Sequence, residues 1–286
     1  MKYITEKKQL SPEEKWESLT FANNFLFCKI LESEPEICRR ILELLLHIKI
    51  ERLEEPQAER MLQEGLDSKS VRFDVYVKDE NRVFDIEIQT ATKYNLQKRS
   101  RYYQSMIDMD CLMHGEDYEY LKDSYVIFIC LEDVFDKKLP AYFFENICVQ
   151  DEKTRLNDGA YKIFFNASEY AKIENKEEKA FFKFLLENGA DDDLTRSIAE
   201  KVNRAKKNAA WRKQYMTWEQ EMKHLSRVAF DEGLNMGLER GARQNAIENA
   251  KVLLADGYYT LEKIAGMLNI PEEELRTEIG TVQTEI

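Results

Sequence analysis

Between Val71 and Gln89 the chain reads VRFDVYVKDENRVFDIEIQ, two runs of alternating large apolar and polar residues separated by a polar turn. Such alternation puts successive side chains on opposite faces of a strand, so the stretch predicts a β-hairpin. With Glu80 and Asn81 as a two-residue loop, Val77 faces Phe84, Val75 faces Ile86 and Phe73 faces Ile88. The same register sets Tyr76 opposite Asp85, Asp74 opposite Glu87 and Arg72 opposite Gln89. All the polar residues then share one face, and a slip of one residue would mix the two sets. Directly opposed side chains stand about 5 Å apart, where like charges repel. Asp74 and Glu87 therefore need a cation between them.

The rest of the chain limits what can surround that hairpin. With 286 residues, 43% of them hydrophobic, it can bury a sizeable core. The amino-terminal MKYITEKKQL lacks an apolar stretch, and the continuous apolar run Tyr125 to Leu131 is far too short to span a bilayer. The expectation is a soluble cytoplasmic protein without a membrane partner. Cys28, Cys38, Cys111, Cys130 and Cys148 form no CxxC pair, and His47, His114 and His224 are scattered. Neither a disulfide framework nor a zinc site is signalled. A net charge of −12 argues against a broadly basic nucleic-acid coat. Locally the balance reverses: Arg196 to Lys213 carries seven basic residues against one acid, either a solvated helix face or a contact to backbone phosphates.

Helical patterning fills Ser11 to Ile50, and Lys49 to Ser70 reads as a polar loop before the hairpin. Asn95 to Met113 reads as a helix capped by Asn95. SYVIFICL is a continuous apolar run of the kind found in a central buried strand, with further strands in AYFFENICV and YKIFF. From about Lys176 the pattern is helical. The predicted organisation is an α/β core over residues 15–175, a helical region over 176–255 and a small helix-turn-helix-like tail over 256–286. Gly233, Gly237 and Gly241 recur every four residues in the helical region, each at a cost of about 1 kcal/mol, and suggest a flexible or closely packed connector. A homodimer through this region is a further expectation.

For the paired acids, two partners suit the residues. One is an ion pair with Arg72. The other is a divalent metal such as Mg²⁺, which takes oxygen ligands, typically one or two carboxylates with water and a substrate phosphate. Gln89 projects from the same face as Glu87 and can hold a water by hydrogen bonds, although it carries no charge. Downstream, LQKRSRYYQSMID places Lys98, Arg99, Arg101, Tyr102 and Tyr103 on one helix, with Arg99 and Tyr103 one turn apart. Arg99 either binds a phosphate or neutralises Asp85 or Glu87.

The blocks VRFDVYVKDENRVFDIEIQ, KRSRYYQSMID and LMHGEDYEYLKDSYVIFICLEDVF, in that order, resemble the recombination-promoting nuclease/putative transposase (Rpn) family of the PD-(D/E)xK nuclease superfamily. The resemblance extends from LTFANNFLFCKIL through LTRSIAEKVNRAKKN to YMTWEQE, about residues 18 to 240. It implies a restriction-endonuclease-like mixed sheet flanked by helices, with an extended helical carboxy-terminal region. The implied activity is metal-dependent cleavage of DNA, associated with recombination or transposition. Asp74 and Glu87 would be the metal carboxylates, the Ile88 carbonyl a further ligand, Mg²⁺ or Mn²⁺ the ion, Gln89 the water-orienting group and Arg99 the phosphate contact. Arg72, Lys93, Lys98, Arg101 and Tyr103 are the candidate DNA contacts. Two departures stand out. Gln89 occupies the place where the superfamily usually has Lys, leaving Arg99 or Lys93 to compensate, and Asn23 and Asn24 stand where relatives often have an acid. The alternative is a nuclease-derived DNA-binding or regulatory protein that no longer cuts.

Overall fold

A computed structural model describes residues 10–63, 70–90 and 95–280. Three helices come first: α1 (Pro12–Ser18), α2 (Asn24–Ser33) and α3 (Pro35–Leu46). Ser11 closes a capping box with Glu14 at the start of α1, and the Asn23 side chain accepts from two backbone amides at the start of α2. The hairpin follows as β2 (Val71–Lys78) and β3 (Arg82–Gln89), preceded by β1 (Gln57–Leu62). The segment predicted as a loop thus contains a strand. β1 reads QAERML, lies at the sheet edge and has no buried residue, so it shows no apolar alternation for a pattern to detect.

After α4 (Leu96–Cys111) the chain forms β4 (Asp123–Cys130), β5 (Ala141–Phe144), the small ribbon of β6 (Ile147–Cys148) and β7 (Asp151–Arg155), and β8 (Ala160–Asn166). The main sheet runs β1-β2-β3-β4-β8-β5, with β3, β4 and β8 parallel and the outer pairings antiparallel. The apolar run SYVIFICL sits at its centre, as expected of a strand covered on both faces. Val126, Phe128 and Cys130 point into a cluster with Leu96, Tyr103, Met106 and Ile107 of α4. Ile127, Ile129, Ile163 and Phe165, on the other face, are equally buried, and the Phe165 ring packs 5.5 Å from that of Phe182 on α5 (Lys176–Glu187). α2 packs on β1, β2 and β3, and α6 (Asp193–Lys206) packs on α2, α3 and α5.

The boundary predicted at residue 175 lies further on. α5 and α6 belong to the sheet-bearing unit, which extends to Tyr215; a second unit begins at Met216. α7 (Ala209–Ala255) is a single 47-residue helix. In the second unit its last turns pack with α8 (Leu261–Leu268) and α9 (Glu272–Gly280) around Ala250, Ile264, Ile270 and Leu275. Asn269 makes the turn between α8 and α9 in the left-handed region, at φ 52°. Glu272, Glu273 and Glu274 occupy the first turn of α9. Acids suit a helix amino terminus but repel phosphate, which argues against this helix pair reading DNA.

Candidate nuclease site

The β2 and β3 ladder has the predicted register near the turn, with Val77 opposite Phe84, Tyr76 opposite Asp85 and Val75 opposite Ile86. It ends there. Phe73, expected to face Ile88, instead shares the α4-side cluster with Tyr76, its ring 5.3 Å from the tyrosine and 5.1 Å from Tyr103. Two residues three apart on one face break the alternation around Asp74. On the neighbouring edge strand the break is matched by Glu59, held at φ 53° between the pairs Ala58 to Val75 and Arg60 to Phe73.

Where the ladder stops, side chains replace backbone partners. The Asp74 amide donates to Glu87 Oε1 at 2.9 Å, and the Ile88 amide donates to Asp74 Oδ2 at 3.1 Å. Asp74 and Glu87 therefore converge, as the sequence predicts, through crossed side-chain-to-backbone bonds rather than as a flat opposed pair. The Asn24 carboxamide on α2 reaches the Asp74 carboxylate as a donor. Arg99 of α4 forms an ion pair with Glu87 Oε2, and its guanidinium lies 4.8 Å above the Tyr103 ring and 5.4 Å above that of Phe128. Of the cations weighed from sequence, Arg99 meets Glu87, whereas Arg72 turns to Glu59 at 3.5 Å.

A third carboxyl belongs to this cluster. Asp85 is fully buried on the strand that carries Glu87, and among the described residues neither of its oxygens meets a donor. Burial, then the charges of Glu87 and Asp74, push its pKa well above the usual carboxylate range, against the pull of Arg99. Its neighbour Glu87 is also an acceptor, so a hydrogen bond between the two exists only while one keeps a proton. Asp74 is raised too, chiefly by burial, with Asn24, the Ile88 amide and Arg99 opposing. The sequence signal was available: acids two apart on one strand share a face.

A raised folded pKa means that folding costs more once the unfolded chain has released the proton. Stability is therefore full below the ordinary aspartate range and falls as pH rises toward the elevated folded value. Asp85→Asn, which donates permanently to Glu87, should match wild type in urea unfolding near pH 3, below the ordinary aspartate range, and exceed it by about 1–3 kcal/mol at pH 8. A difference that does not grow with pH would refute the assignment.

The other predicted residues divide. Gln89 ends β3 nearly buried, and among the described residues its Oε1 has no partner, leaving a carbonyl oxygen able to accept from water. Lys98 and Arg101 are exposed on α4, next to Arg99. Tyr103 is not a surface contact: it is 7% exposed, packed on Phe73, and its hydroxyl donates to the Arg72 carbonyl at 3.3 Å. Lys93 lies outside the described residues. Asn95 starts α4 in the left-handed region without a side-chain capping bond, contrary to expectation. In the basic run, Arg196 pairs with Asp193, Lys201 with Glu34, and Lys206 donates to the Glu17 carbonyl. Arg204, Lys207, Arg212 and Lys213 remain exposed.

The donor set of the acid cluster is all oxygen, and its three carboxyls meet a single Arg99, so their mutual repulsion is what a divalent cation would relieve. Among the described residues no three His, Cys, Asp or Glu side chains are arranged to hold an ion by themselves. A cation here would rest on Asp74, Glu87 and the adjoining Ile88 backbone, with substrate or water completing the shell.

A mixed sheet flanked by helices, with converging acids where its central hairpin opens, is the architecture of the restriction-endonuclease-like class. Residues 22–232 match the family model of the PD-(D/E)XK nuclease family transposases, and the chain belongs to that family. No curated protein and no solved structure is significantly similar to it. PD-(D/E)XK nucleases generally use divalent metals. Among the described residues no helix is long and apolar enough to cross a membrane.

Proposed function

We propose that the protein is a divalent-metal-dependent DNA endonuclease, acting in recombination or transposition. The observation that carries this reading is the meeting of Asp74, Asp85 and Glu87 against one arginine where β2 and β3 part. Asp74 and Glu87, with the Ile88 backbone, would hold Mg²⁺ or Mn²⁺. When bound, the ion would stabilise charge developing on the phosphate and lower the pKa of an attacking water. The chain's own groups do the rest. Gln89 accepts from the water and fixes its direction. Arg99, released from Glu87 when that carboxylate takes a new partner, has a guanidinium fork suited to the scissile phosphate, and its 28% exposure leaves it a way out. Lys98 and Arg101, exposed on α4, suit flanking phosphates, as does Arg72 on β2.

Supercoiled plasmid incubated with the protein and Mg²⁺ or Mn²⁺ should become nicked or linear, and chelation should stop it. No metal-dependent product under any divalent ion would overturn the reading. One feature favours a second reading, a DNA-binding or regulatory protein that does not cut: Glu87 is wholly buried, with one oxygen bonded to a backbone amide and the other to Arg99. That reading predicts DNA retention that falls steeply with salt and yields no cleavage products.

A further inference from the structure

The middle of α7, within the second unit, carries a face that no described residue of that unit covers. Every residue from Lys223 to Asn245 is exposed. Phe230, Gly233, Leu234, Gly237, Leu238 and Gly241 follow one another at spacings of three, one, three, one and three, which aligns them along one side of a helix. Phe230, Leu234 and Leu238 are 68%, 51% and 63% exposed, and a Cβ added at any of the three glycines would meet no atom within 4 Å. α8 and α9 pack against Ala246, Ile247, Ala250, Leu253 and Leu254, on the opposite side of α7, and so leave this stripe open.

Large and small residues alternate along the stripe, and the order reads complementarily in reverse. Laid antiparallel on a second copy, Phe230 meets Gly241, Leu234 meets Gly237 and Leu238 meets Gly233, so each large side chain enters a gap left by a glycine. Continuing outward in the same register, Arg227 meets Gln244 and Ser226 meets Asn245. At both ends, on the midline of the face, Lys223 meets Glu248. The lysine is 61% exposed and paired within its own helix to Glu219, a surface contact readily exchanged. A parallel pairing in register would set Phe230 on Phe230, Lys223 on Lys223 and Glu248 on Glu248. Charge and volume thus both select the antiparallel arrangement. A helix interrupted by three of the poorest helix-forming residues short of proline also gains most from a partner.

We infer that this face of α7 is a homodimer interface, in which two copies of the chain pair antiparallel over residues 223–248. The paired stretch is about 38 Å long, a modest interface that suits association in the micromolar range. It stands independently of the metal chemistry.

Sedimentation velocity of the full chain should show a dimer that dissociates on dilution. Gly237→Leu should weaken it roughly tenfold or more by filling the gap that Leu234 occupies. Circular dichroism should show equal or greater helicity in that variant, since leucine favours helix. Lys223→Glu should weaken the dimer roughly tenfold at low salt, and Lys223→Glu with Glu248→Lys should restore it. A chain that stays monomeric, even one that binds some other protein, would overturn the inference. So would undiminished dimerisation of Gly237→Leu, or a double charge exchange as weak as the single one. Indifference of the dimer to Lys223→Glu would overturn it too, as the mark of a parallel pairing.

Discussion

Asp74→Asn and Glu87→Gln should each lower plasmid cleavage at least about a thousandfold at saturating Mg²⁺, because a bound ion supplies several kcal/mol of charge stabilisation to such a reaction. Both changes keep the side chain's size and an acceptor oxygen. The carboxamide introduced at position 74 still accepts from the Ile88 amide, and the one introduced at position 87 still accepts from the main-chain amide of residue 74, so the crossed bonds at the hairpin's open end survive. Thermal unfolding near the wild-type temperature would show that the loss concerns chemistry, not folding. Cleavage within a few-fold of wild type in either variant would remove that residue from the site. Loss in Asp74→Asn alone would remove the metal role from Glu87.

Replacing Arg99 by Met should cost about 3 kcal/mol of folding stability, toward the lower end of what breaking a buried pair costs, because the guanidinium is only partly enclosed. The loss arises from Glu87, left as a charge on a fully buried side chain beside Asp85 and Asp74. Glu87→Gln alone should cost less, about 1 kcal/mol, since Arg99 can turn toward solvent. Combining the two should recover much of the Arg99 loss. Urea unfolding of the four chains gives the coupling directly. Simple addition of the two losses would show that Arg99 stabilises the fold through its contacts with the Tyr103 and Phe128 rings rather than through the charge it meets.

Strong, local patterns carried most of the fold into view. Alternation over Val71 to Gln89 defines the hairpin because one face is buried and a one-residue slip would expose it, and the unbroken apolar run around Val126 to Ile129 marks a strand covered on both sides. β1 left no such mark, since this edge strand has no fully buried residue. The site was legible in part. Asp74 and Glu87 follow from alternation alone, but the break at Asp74 depends on the backbone of Glu59 in a neighbouring strand, a tertiary influence that no local pattern encodes. Tyr103 was placed on the right helix and the wrong side: its one-turn spacing from Arg99 gives a shared direction, and only packing decides whether that direction is solvent or core. Asn24 lies fifty positions from Asp74, beyond the reach of any periodicity.

The crossed bonds between the acids and the strand amides carry a thermodynamic consequence. The carboxylates that would grip a ligand are also the fasteners of the hairpin's open end, so any guest that draws their oxygens away obliges two main-chain N–H groups to find other acceptors. Ligand capture and strand closure are therefore reciprocally linked: whatever tightens one must loosen the other by the same free energy.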